Sequence, residues 1–118
     1  MLKPALLASL ILLTFISFAH ANALENALIE GVKFLDDVPE VEWYRVEGDS
    51  LIIGWKGVPK LFARFNRRAA TRATISTGVD VRVWAVRHNL KNWKVGGGDP
   101  HICFVIARNG RVKTDTCH

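Results

Sequence analysis

Two periods of apolar spacing divide the chain. Residues 22–35 place Leu24, Ala27, Leu28, Gly31 and Leu35 at helical intervals. This predicts a short N-terminal helix, loosely held because Gly31 weakens it. Pro39 disfavours a helical Val38, so Asp36-Asp37-Val38-Pro39 ends the segment. Val41 to Glu47 and Leu51 to Trp55 are rich in β-branched and aromatic residues. With Gly48-Asp49 between them they read as a β-hairpin, Trp43 and Trp55 falling in its core.

The clearest helix is expected from Pro59 to Thr77, with proline in its first turn and Gly78 as its stop. Val58, Leu61, Phe62, Phe65, Ala69, Ala73 and Ser76 share one face. That stripe shrinks from bulky to small, so the C-terminal half should approach its sheet closely. Val79, Val81, Val83 and Ala85 then alternate with Asp80, Arg82, Trp84 and Val86, the pattern of a half-buried strand. A loop from Asn89 to Pro100 contains Gly96-Gly97-Gly98 and reads as a mobile connector. Ile102–Arg108 and Arg111–Cys117 form a second hairpin around Asn109-Gly110, whose residues suit the positive φ of a two-residue turn.

The expected order is (α)ββαβββ. The expected fold is α+β in two layers: a mostly antiparallel sheet of about five strands with one long amphipathic helix packed on it.

The first residues change the picture of where this domain works. Lys3 is followed by an apolar run, Ala5 to Phe18, and then by Ala19-His20-Ala21. A positive start, an apolar stretch and an A-x-A site define a cleavable secretory signal. The run is shorter than the roughly 20 residues of a membrane span. Residues 1–21 are therefore expected to be removed. Residues 22–118 would form one mature domain in a bacterial periplasm or the extracellular space, without stable membrane insertion.

An exported chain with two cysteines, Cys103 and Cys117, implies one disulfide. The second hairpin resists it. A regular two-residue loop pairs Cys103 with Thr116, which sends the two cysteines to opposite sheet faces. A bridge therefore requires a bulge, an odd loop length or a bend near the C-terminus, and the alternative is no bridge at all.

Charge supplies the one positive argument about function. The chain carries 16 Lys and Arg against 11 Asp and Glu, a formal charge of +5. No acid lies between Asp49 and Asp80, while Lys56, Lys60, Arg64, Arg67, Arg68 and Arg72 do. Lys60, Arg64 and Arg67 oppose the apolar stripe and Arg68 flanks it. Such a surface suits phosphate, carboxylate or sulfate, because the arginine fork binds them bidentately. Arg72 sits at the stripe's edge, placed to snorkel outward. Trp84, on the face away from the valines, would either stack on a ligand beside Arg82 or be covered by the N-terminal helix.

No stretch carries a catalytic, cofactor or metal signature. His88, His101 and His118 lack ligand spacing. The glycine run lacks the Gly-Lys-Ser/Thr of a phosphate loop. Neither a catalytic residue, a cofactor nor a metal is therefore assigned. The reading that results is a non-enzymatic binding module for an acidic partner, an envelope polymer or an acidic protein. Its contact residues would be Lys60, Arg64, Arg67, Arg68, Arg72 and Trp84. Two rivals are a small exported hydrolase using His88 or His101, and a structural accessory subunit of an envelope complex.

Overall fold

A computed structural model describes residues 22–118; the expected export signal, 1–21, lies outside the described residues. Helix α1 covers 22–31 and runs into a 3-10 turn, Lys33–Asp37. Strands β1 (Val41–Glu47) and β2 (Ser50–Trp55) form the first hairpin. Helix α2 (Phe62–Thr77) connects β2 to β3 (Val81–Arg87). Strands β4 (Cys103–Arg108) and β5 (Arg111–Asp115) form the second hairpin. The fold is the expected α+β order.

The five strands lie in the order β1-β2-β3-β4-β5. Neighbours are antiparallel except β2 and β3, which are parallel because α2 carries the chain back across the sheet. Both helices cover the same sheet face. Leu28, Val32 and Leu35 join Leu51, Ile53, Val81, Val83, Val105 and the α2 alanines in one core.

Several expectations need correction. The first helix is not loosely held: Leu28 and Val32 are fully buried. Gly31 is the point of closest approach between helices, since a Cβ there would lie 3.0 Å from the Arg72 carbonyl oxygen and collide with Ser76. Helix α2 begins at Phe62, not Pro59, after a turn in which the Phe62 N–H donates to the Pro59 carbonyl at 3.0 Å. Its buried face is Phe62, Asn66, Ala69, Ala70, Ala73 and Thr74. Val58 and Leu61 are exposed, because they precede the first helical turn. The small half of the stripe does approach the sheet closely: Ala69, Ala70 and Ala73 are fully buried. Thr74 Oγ1 accepts the Gly110 N–H at 2.9 Å, fastening α2 to the tip of the second hairpin.

The opposite sheet face carries a smaller cluster. Ile52, Val86 and Trp93 are buried there, with Trp43, Trp84 and Leu90 against them. The segment after β3 is therefore more than a mobile connector. Trp93 inserts under the sheet, and its Nε1 donates to the Asp99 carbonyl at 2.9 Å. The Arg45 guanidinium donates to the Lys91 carbonyl at 3.0 Å and to that of Trp93.

The second hairpin resolves the cysteine conflict by a bulge. Asn109 and Gly110 have φ of 52° and 74°, as their turn requires. Ala107 pairs with Val112, but Ile106 pairs with Thr114, so Lys113 is the extra residue. The shift brings Cys103 opposite Cys117, and they are bonded with Cα atoms 5.0 Å apart.

Candidate functional site

The cations singled out on α2 do not act alike. Helical geometry turns Arg64 and Arg68 away from the sheet, and both are exposed, as is Lys60 in the preceding turn. Arg67 leans toward β5 and donates from Nη1 to Asp115 Oδ2 at 2.8 Å. Burial would raise the Asp115 pKa, but the bonds from Arg67 and from the Cys117 N–H outweigh it and hold the carboxyl below its ordinary value. A depressed pKa means that the pair stabilises the fold above the normal aspartate range, near 3.8. That contribution is lost as pH falls through the lower folded value. Arg67 is thus partly committed to the fold.

Arg68 and Arg72 flank the ring of Phe34, each guanidinium 5.7 Å from its centroid. Cation–π contact orients both without cancelling their charge. Arg72 is exposed, with its guanidinium over a residue of the 3-10 turn. Among the described residues, Lys60, Arg64, Arg68 and Arg72 have no acidic partner.

Trp84 lies apart, on the other face of the sheet. The N-terminal helix does not cover it, because that helix occupies the opposite face. Trp93, His101 and Phe104 surround it with ring centroids 5.5, 5.0 and 5.2 Å away. It is half-buried, its Nε1 enclosed and without a partner among the described residues. The structure therefore splits the expected contact set into the α2 surface and an aromatic cluster across the sheet from it.

A third arrangement was not legible in sequence. Parallel β2 and β3 end side by side at Trp55 and Arg87, and crevices at such carboxyl ends are favoured binding positions. There a cleft of about 370 Å³ lies between Lys56, Val58, Arg87, His88, Asn89 and Ile102. His88 is fixed from three directions. Its N–H donates to the Trp55 carbonyl at 2.9 Å, and its own carbonyl accepts Trp43 Nε1 at 2.8 Å. Its ring Nδ1 lies 2.5 Å from Glu42 Oε2.

Glu42 reaches His88 because it occupies a bulge. Val41 pairs with Trp55 and Trp43 with Gly54, leaving Glu42 unpaired in the ladder. Bulges re-aim side chains in this way. Trp43 reaches across β2 because Gly54 has no side chain; a Cβ there would sit 2.5 Å from the indole nitrogen. His101 is not part of this arrangement but packs edge-on against Trp84. Among the described residues no cluster of His, Cys, Asp and Glu has the makings of a metal site.

Comparison with protein-family models, with curated proteins and with solved structures finds no match to this chain. The fold and these surfaces are thus the whole basis for a functional reading.

Proposed function

We propose that the protein is an exported, non-enzymatic binding module that holds an acidic partner, a polymer or a protein, against the outer face of α2. One observation carries the reading. Lys60, Arg64, Arg68 and Arg72 crowd one side of the molecule, with no acid among the described residues to neutralise them. Like charges at i,i+4 oppose each other by a few tenths of a kcal/mol per pair, about 0.2–0.5, which a bound polyanion relieves. Export to a periplasm or the extracellular space is supported by the Ala19-His20-Ala21 pattern and by the disulfide, since such bonds persist in oxidising compartments. Among the described residues no helix is long and apolar enough to cross a membrane.

The test is capture of the acidic partner from the native envelope by Arg64→Glu/Arg68→Glu. Arg67 is left intact because reversing it would set two carboxylates together at Asp115. A second variant, Arg111→Glu/Lys113→Glu, makes the same charge change on exposed β5. The α2 variant should lose capture, the β5 variant should keep it, and the parent's capture should weaken as salt rises, by screening over about 8–10 Å. Equal loss by both variants means net charge alone matters, and the reading fails.

The Glu42–His88 contact favours a second reading, a small hydrolase. Donation from Nδ1 to a carboxylate leaves Nε2 as the ring's proton acceptor, the arrangement of a general base. Changing His88, His101 and His118 together to Gln in a normally folded protein distinguishes the two. Unchanged cellular function supports the binding module, and loss brings the hydrolase forward.

A further inference from the structure

We propose that the cleft at the carboxyl ends of β2 and β3 binds a small organic carboxylate with an apolar stem, at a site separate from the α2 surface. Its charge is one-sided. Lys56 and Arg87 line it, no Asp or Glu does, and neither cation has an acidic partner among the described residues. Glu42, which approaches the cleft wall at His88, is engaged by that ring. A cleft lined by one sign of charge concentrates ions of the opposite sign.

The apolar half is equally marked. Val58 and Ile102 are 67% and 39% exposed, although both lie beside the buried Trp55 at the rim of the core. Apolar side chains left in water around a cationic cleft match a ligand that is itself charged at one end and apolar at the other. Arg87 supplies a planar fork suited to a carboxylate, and Lys56 a second positive charge.

The walls are also held in place. His88 is bonded through its N–H, its carbonyl and its ring. Ile102 donates its N–H to the Ala85 carbonyl at 2.7 Å, and the Lys56 N–H reaches the Glu40 carbonyl at 2.8 Å. Such fixed walls lower the entropy lost on binding. Arg87, Asn89 and Ile102 also line a second hollow of about 370 Å³, together with Leu90, Pro100 and His101.

The test follows backbone amide signals of the purified, oxidised protein during titration with phenylacetate, acetate and benzyl alcohol. Phenylacetate should shift Gly57, His88, Asn89 and Ile102 saturably. Acetate, which lacks the stem, and benzyl alcohol, which lacks the charge, should bind more than tenfold more weakly. Lys56→Gln/Arg87→Gln should lose more than tenfold in phenylacetate affinity, while Lys56→Arg, which keeps the charge and leaves the Arg87 fork in place, keeps most of it. Arg64→Glu/Arg68→Glu should bind phenylacetate like the parent, so failure of the α2 reading leaves this result standing. The proposal is overturned if phenylacetate produces no saturable shift at these amides, or if benzyl alcohol binds as tightly. It is also overturned if the Gln variant binds like the parent.

Discussion

Tyr44 is the chain's one tyrosine, which makes it a private reporter of the contact between β1 and the 3-10 turn. Its hydroxyl donates to Asp36 Oδ1 at 2.8 Å. Burial first, and the Asp36 carboxylate second, push its pKa up to about 12. A raised tyrosine pKa means that the neutral form is the one the fold favours. The associated stability is therefore complete below the ordinary value of 10.0 and is lost as pH rises toward 12. Because the group is partly exposed, solvent screening reduces the contribution to about 1 kcal/mol. An ultraviolet titration should show a single phenolate transition near 12. In Asp36→Asn the midpoint should fall but stay above 10, since burial is the larger cause. A midpoint at 10 in the parent would mean that Tyr44 is neither buried nor bonded. The aromatic and acidic residues were visible in the sequence. Their meeting was not, because it depends on how the turn after α1 folds back over β1.

Each hairpin uses a bulge for a purpose that pattern alone exposes only once. In the second, the cysteines had to share a face and a two-residue turn forbade it, so the parity of the strand positions alone demanded an irregularity. Lys113 is that irregularity. Deleting Lys113 should leave the disulfide formed, because the shortened strand reaches Cys117 in the same register without a bulge; thiol labelling of the folded protein reads this directly. Two free thiols would show that the bulge itself is needed. The first hairpin gave no such warning. Glu42 sits in alternation as an ordinary exposed residue, and only its bulge turns it toward His88. Gly54 is the companion feature, since Trp43 lies where its side chain would be. Gly54→Ala should destabilise the protein by about 1–3 kcal/mol, the usual cost of overpacking. In a Trp43→Ala background the same change should cost little, and denaturant unfolding of the four proteins of the cycle measures the coupling.

At the scale of the whole molecule the sheet is a partition. Both helices and the disulfide lie on the side of the large core, whereas Trp43, Trp84, Trp93 and His88's anchoring contacts belong to the other side or to the strand ends. The proposed acidic partner and the proposed carboxylate engage different places in one fold, the outer face of α2 and the strand ends, and each is open to test without the other. The proposed export bears on both. On that proposal the mature protein is expected to begin at Asn22, with an intact mass lower than the fully reduced value by one pair of hydrogens. N-terminal sequencing and intact mass of material taken from the periplasm check this; two free cysteines there would contradict it. A disulfide closing a loop of about 15 residues contributes at most about 3 kcal/mol in the chain-entropy model. The Asn109-Gly110 turn reduces that, because it already restricts the loop.

The sequence by itself determined the order of elements, the two-layer α+β class, the turn at Asn109-Gly110, the need for a shift before Cys117 and the outward cations Arg64 and Arg68. These depend on period, turn chemistry and parity, which are properties of neighbouring residues. It misread Gly31 as a weakness and Asn89–Pro100 as a free connector, because close helix contact and the seating of Trp93 are set by partners distant in the chain. Tertiary structure alone paired Arg67 with Asp115 and Glu42 with His88, across 48 and 46 residues. It also created the cleft at Lys56 and Arg87, which arises where two strands end side by side. Neither strand carries a local signal that names its neighbour, and the parallel pairing of β2 with β3 exists only once α2 has packed and carried the chain back across the sheet.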